Sequence, residues 1–190
     1  MSDSPLPADP LEQIHELNRL FLRSLQPRKI EALRRVGFPS GAVQALNQAS
    51  PEHLDAVAAF PRALFDLVLD APPSPGAGSP QAPMLDGPSV ASRILELTIA
   101  YCAWTTSRDS AYRARLFFGL GSDVIQTLRV TPLSKLPWLA LTRARVVCAF
   151  QEAEGLWREL LLETRPEARR QLVLVALQPA FRTAQAAQNV

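Results

Sequence analysis

The sequence predicts an all-α protein, with two tandem helical modules packed on each other as an intramolecular pseudo-dimer and a further helix at the C-terminus. Three observations point there. Leu, Ala and Arg dominate while β-branched residues are sparse outside a few short runs, a composition that favours helix. Apolar residues recur at spacings of three and four along most of the chain. A Pro- and Gly-rich stretch divides the 190 residues nearly in half, and the helical signals that precede it return in the same order after it.

The first helix is predicted to begin near Asp9, with Pro10 in the first turn and Glu12 at the positive end of the helix dipole. Leu11, Ile14, Leu17, Leu20, Phe21 and Leu25 make one apolar stripe, and Pro27 closes it. A short helix, Arg28 to Val36, stops at Gly37, where a left-handed residue ends a helix at no steric cost. Ser40 caps a helix through Val43 and Leu46. Ser50-Pro51-Glu52 opens the next one, with Ser as N-cap and Pro in the first turn. Leu54, Val57, Ala58, Phe60, Leu64, Phe65 and Val68 carry its apolar side. Pro61 interrupts them, so either a kink or a new element starts there, and Ala63 to Leu69 also reads as a short strand.

Residues 71–88 hold six prolines and three glycines and are read as a flexible linker between a first module (1–70) and a second module with C-terminal helices (89–190). Helical pattern resumes at Ser89 and runs through Ile94, Leu97, Ile99, Tyr101 and Trp104. Setting Gly37 against Gly119, an offset of 82, aligns Ser40 with Ser122, Gln44 with Gln126, Leu46 with Leu128, Leu54 with Leu136 and Ala58 with Ala140. For the first helix of each half an offset of 80 matches Ile14, Glu16, Leu17 and Phe21 with Ile94, Glu96, Leu97 and Tyr101. A module of roughly 60 residues is marginal alone and is stabilised by burying its apolar face on its copy.

Composition narrows the function. The formal net charge of +2 is too small to argue by itself for nucleic acid or a membrane. No apolar run reaches the roughly 18 residues of a membrane span, and the polar, Pro-rich residues 1–10 lack the basic start of a signal peptide, so the cytoplasm is the expected address. The sequence contains no phosphate-cradling glycine loop, no H-E-x-x-H and no C-x-x-C. His15 and His53 lie far apart, and Cys102 and Cys148 lack metal-ligand spacing. Neither an enzyme nor a cofactor or metal site is expected.

Two sets of residues are candidates for binding. Arg28, Lys29, Arg34 and Arg35 cluster before Gly37, with Arg143 and Arg145 in the second half and Arg165, Arg169, Arg170 and Arg182 near the C-terminus. Such charges suit phosphate when several converge on one face, although Glu31, Glu163 and Glu167 are interleaved. The paired helices Ser40–Leu46 with Ser50–Phe60, and Ser122–Leu128 with Leu133–Leu141, have helix-turn-helix dimensions, but Glu52 and Asp55 on the second helix would repel phosphate. The second set is apolar: Trp157, Leu161, Leu172, Leu174 and Val175 make the C-terminal helices greasier than one core contact requires, as for a helix that meets another protein.

Ile14 to Leu22, Ala32-Leu33-Arg34-Arg35-Val36-Gly37-Phe38 and Ser50-Pro51-Glu52-His53-Leu54 resemble the flagellar transcriptional regulator FlhD family, as does the apolar run Leu64 to Asp70. Tyr101, Ala114, Phe118-Gly119-Leu120, Leu128, Leu136 and Val146 to Phe150 resemble the same pattern again. The resemblance covers about two thirds of the chain. It implies a dimerising helical regulator that joins an FlhC-like zinc-bearing partner at promoters. This chain departs from the family in carrying both modules in one polypeptide. Cys148 stands where the family places an inter-subunit cysteine, but its counterpart is Asp66, and only 167–188 stands in for the family's DNA-binding segment. Two readings stay open. One is an FlhD-like regulator of motility or secretion genes acting through partners and DNA. The other is an adaptor or accessory cytosolic component of a flagellar or type III secretion system that binds no DNA. Homo-oligomers fit either.

Overall fold

The computed structural model describes residues 9–25, 30–70, 90–151, 153–163, 165, 167–168 and 170–177. It is mostly helical, with one small two-stranded sheet. The linker expected at 71–88 lies outside the described residues.

Helix α1 (Pro10–Ser24) starts as its sequence dictates: Asp9 accepts a hydrogen bond from the Leu11 amide at 2.9 Å, and Pro10 fills the first turn. Ile14, Leu17, Asn18, Phe21 and Leu22 are its buried face. Helix α2 (Ile30–Arg35) ends at Gly37, whose φ of +67° lets the Phe38 amide return to Leu33 O at 2.8 Å. The next turn departs from expectation. Ser40–Ala42 form a 3₁₀ turn, Pro39 precedes it without a side-chain cap, and helix α3 spans Val43–Gln48. Helix α4 (Pro51–Ala58) is capped by Ser50, whose hydroxyl accepts from the His53 amide at 3.2 Å. Pro61 marks a new element rather than a kink, because the chain then becomes strand β1 (Phe65–Leu69).

In the second half, α5 (Val90–Asp109) is followed by α6 (Ala111–Phe118), capped by Ser110 and closed by Gly119 at φ +66°. Then come α7 (Ser122–Val130), a 3₁₀ turn (Leu133–Lys135), α8 (Leu136–Thr142), strand β2 (Ala144–Cys148) and α9 (Glu154–Leu162), before a helical stretch at 170–177. Ser122 is the first helical residue of α7 and not its cap, which is Gly121.

The two strands correct the all-α expectation. They pair antiparallel, Phe65 opposite Cys148 and Leu69 opposite Ala144, and the bonds continue through Ala149 N to Leu64 O and Asp70 N to Arg143 O. Leu67, Val68, Val146 and Val147 are the β-branched and apolar run that suits this pleat, with Phe65, Leu67, Val146 and Cys148 turned into the core. The segment leading into β1 and the end of β2 each bond to a helix end in the opposite half of the chain: Ala63 N donates to Phe117 O at 2.7 Å, and Cys148 N to Val36 O at 2.6 Å. Phe65 meets Phe118 and Phe60 meets Phe150, so one continuous core spans both halves.

Burial also corrects the alignment of the first helices. At the expected offset of 80, Ile14 (1% exposed) would match Ile94 (60%) and Phe21 (0%) would match Tyr101 (41%). At 82, the offset that aligns the glycines, Leu17, Asn18, Phe21 and Leu25 fall on Ile99, Ala100, Ala103 and Ser107, and all eight are buried. Leu/Ile spacing misled here because α5 is apolar on two faces.

Candidate functional site

The basic residues occupy different parts of the molecule. Arg28, Lys29, Arg169 and Arg182 lie outside the described residues. Arg34 and Arg35 are exposed at the end of α2, and Arg170 is exposed on the last helical stretch. Arg165 is exposed and held by the Glu163 carboxylate at 3.1 Å, which also raises its pKa. The second helix of the first hairpin, α4, is packed into the fold and is not free to enter a groove. Leu54, Val57 and Ala58 bury α4 against α1 and α9, and its exposed Asp55 is bound by Arg19 at 3.0 Å.

Three arginines do converge. Arg35, Arg93 and Arg145 line a cavity of about 310 Å³ between α1, α5 and the strands, above an apolar floor that includes Phe21 and Leu25. Their charge is largely spent locally. Arg145 forks onto both oxygens of Asp70 at 2.7–3.1 Å, and Arg93 bonds Glu96 at 3.4 Å. Glu96 is half-buried, and burial raises its pKa against the opposing pull of Arg93 and Arg35.

The C-terminal apolar residues divide. Trp157 and Leu161 are corrected from partner contacts to core: each is at most 2% exposed, because α9 lies on the 3₁₀ turn, α3 and α4 of the first half. Trp157 stacks edge-on against Phe38 at 5.1 Å and donates its indole N–H to Ala149 O at 2.7 Å, while Leu160 O is 3.2 Å from His53 Nε2. Leu172 is half-buried against the same core. Leu174 and Val175 are exposed.

Among the described residues, a further open apolar surface lies along α5. Along α5, Val90, Ile94, Leu97, Tyr101 and Trp104 follow at intervals of four, three, four and three, which puts them on one stripe. Val90 is 77% exposed and Ile94 60%, whereas the opposite face of α5, with Ile99, Ala103 and Ser107, is in the core. Beside the stripe runs the 3₁₀ turn and α8, antiparallel to α5. Arg93 Nη1 reaches Leu141 O at 2.9 Å at one end, and Trp104 Nε1 reaches Thr131 O at 2.8 Å at the other. This second segment adds exposed Leu133, Trp138 and Leu141, and the end of α7 adds Val130.

The two halves differ at this surface. At the offset of 82, Ile94, Leu97 and Tyr101 correspond to Glu12, His15 and Arg19 on α1. At those three places α1 is polar, and Arg19 binds both Glu16 and Asp55, whereas Leu22, matched to Trp104, is buried.

Among the described residues no group of three or more His, Cys, Asp or Glu is placed to hold a metal ion, and no helix is long and apolar enough to cross a membrane. Compared with protein-family models, with curated proteins and with solved structures, the chain matches none.

Proposed function

We propose that the chain is a non-catalytic interaction protein: two tandem FlhD-like helical modules, joined as an intramolecular pseudo-dimer, that dock a protein through the apolar face of α5 and α8. The observation that carries this reading is the opposite polarity of matched positions. Ile94, Leu97 and Tyr101 stand where α1 has Glu12, His15 and Arg19, and Ile94 and Tyr101 are left exposed, with Leu97 half-buried between them. An apolar area of this size on a chain with a complete core of its own is characteristic of a docking surface.

Duplication is supported by the repeated order of four helices and a strand, by glycines of matching φ, and by the bonds from the segment leading into β1 and the end of β2 to a helix end in the other half. By the FlhD resemblance the partner to seek is an FlhC-like regulator or a component of a flagellar or type III secretion system. A second reading, a regulator that touches DNA, is favoured by the convergence of Arg35, Arg93 and Arg145, and predicts binding that weakens steeply with salt. Asp70 and Glu96 in the same cavity argue for the adaptor.

Affinity purification from the native host, with identification of what is retained, separates them. A discrete protein complex lost with Tyr101→Glu supports the adaptor. A promoter fragment released by salt and lost with Arg35→Ala replaces it with the regulator.

A further inference from the structure

The occupant of the α5 stripe follows from its own pattern. Helix α5 is 20 residues long, about 30 Å, and Val90, Ile94, Leu97, Tyr101 and Trp104 keep the spacing of a coiled-coil seam, with Val90, Ile94 and Tyr101 exposed and Leu97 and Trp104 half-buried. Turned antiparallel on a copy of itself about an axis near Ile99, the stripe is self-complementary. Ile94 faces Trp104 of the second copy, Leu97 faces Tyr101 of the second copy, and both layers recur beyond the axis. Each of these layers sets one aliphatic side chain against one aromatic, and the outermost layer sets Val90 against Arg108, whose guanidinium lies 4.9 Å over the Trp104 ring of its own chain. Tyr101 and Trp104 are already stacked, with ring centroids 6.2 Å apart, and the indole is fixed by Thr131, which limits the ordering that contact would require.

The flank of the stripe away from α8 fits a like surface rather than a charged one. It consists of Ala91, Thr98 and Thr105. Thr98 Oγ1 donates to Ile94 O at 2.8 Å and Thr105 Oγ1 to Cys102 O at 2.9 Å, so neither hydroxyl requires water or a partner group. Small, neutral and satisfied residues let two helices approach closely and bring no like charges together. The area is also of the right order. The exposed side chains of α5 with Leu133, Trp138 and Leu141 leave roughly 600 Å² of apolar surface open, the top of the 300–600 Å² common on monomers, and near the roughly 800 Å² per partner of a standard interface.

We propose that two copies of this chain associate as a two-fold dimer through antiparallel packing of α5 on α5, flanked by α8. The inference rests on the reading of this face as a docking surface and names its occupant. The full-length chain, sedimented through a micromolar dilution series, is expected to show twice the 20.9 kDa chain mass. Ile94→Glu and Tyr101→Glu are each expected to weaken association roughly thirtyfold or more, whereas Glu12→Lys at the matching place on α1 leaves the mass unchanged. Unaltered thermal unfolding of the glutamate variants shows that they fold. A Thr98→Cys chain, with its new thiol beside the axis, is expected to cross-link to itself on mild oxidation. A monomeric pure chain, or a dimer indifferent to both glutamates, overturns the proposal. The docking reading stands if a monomeric chain still loses a native complex with Tyr101→Glu, and falls separately if that complex survives the substitution.

Discussion

Gly37 and Gly119 adopt the same left-handed conformation, at φ +67° and +66°, and each backs onto a side chain from the opposite half of the molecule. A methyl group on Gly37 would meet the amide of Gln151, 2.6 Å from its nitrogen, and one on Gly119 would overlap the guanidinium of Arg62. Forcing an L-residue left-handed costs about 1–2 kcal/mol at either place. The neighbours then separate them. Gln151 is exposed and swings aside, whereas Arg62 is held over the Phe150 ring at 4.9 Å and by Asp66 at 3.4 Å. Gly119→Ala is expected to lower stability more than Gly37→Ala, by about 1 kcal/mol or more, as chemical denaturation of the two variants measures. Equal losses would show that Arg62 is free to move.

Asn18 is the polar tie of the first half. Fully buried, its Nδ2 shares two N–H groups among Ala58 O, Phe60 O and Arg62 O at 2.9–3.2 Å, and its Oδ1 accepts from Leu64 N at 2.8 Å, which turns the chain from α4 into β1. Asn18→Ala leaves the Leu64 amide and the carbonyls without partners in an apolar surround, so a loss of about 3 kcal/mol is expected in the same assay. The corresponding residue, Ala100, is already apolar and buried, and Ala100→Asn is expected to destabilise rather than substitute for the tie.

Where the sequence was legible, the signal was local and chemical. Asp9 before Pro10, Ser50 before Pro51, and the glycines after α2 and α6 all act through one side chain or one dihedral, and those boundaries follow directly. Strand β2 was not legible because Ala144–Cys148 is too short to show a period and is buried on alternate residues only in pairing with β1, seventy-odd positions away. Ser40 and Ser122 looked like caps, but Pro39 and Gly121 take those places and no hydroxyl caps either helix. The α5 surface was hidden for a different reason. A helix apolar on two faces gives no clear period, and only the folded chain shows which face is left in water.

Leu46 and Leu128, matched at the offset of 82, are both fully buried in the shared core. Leu46→Ala and Leu128→Ala are each expected to lower stability by about 2–4 kcal/mol through lost transfer energy and the cavity left behind. Because one core joins the halves, each variant is expected to unfold in a single transition detected alike by fluorescence and circular dichroism. Two separated transitions would show halves that fold independently.

The thiols offer a probe through pH. Burial pushes the Cys102 thiol from the usual 9.0 up to about 11, and burial together with the nearby Asp66 carboxylate pushes Cys148 up as well. A raised native pKa means that the unfolded chain loses these protons first. The stabilisation is therefore complete below pH 9 and is lost as pH rises towards 11. Stability measured between those limits is expected to fall more steeply than in a Cys102→Ala, Cys148→Ala chain. At pH 8 the native thiols are expected to react with a labelling reagent only at the rate of unfolding. Rapid labelling would place them at the surface.

Trp157 is the anchor of the C-terminal segment. It is enclosed against Phe38, its N–H is bound by Ala149 O, and Leu160 and Leu161 lie on the same buried face of α9. Trp157→Ala removes a large packed side chain and leaves the Ala149 carbonyl with only the weak Cys148 thiol donor at 3.4 Å, so a loss of about 3–5 kcal/mol is expected. Its location makes a sharper forecast possible. Helix α9 packs on the 3₁₀ turn, α3 and α4 of the first half, so the substitution is expected to expose the 3₁₀ turn and α3 to proteolysis while leaving self-association through Ile94 and Tyr101 intact. Limited proteolysis read alongside sedimentation distinguishes the two effects. If Trp157→Ala abolished association without changing the cleavage pattern, the C-terminal helix and not α5 would be the docking element.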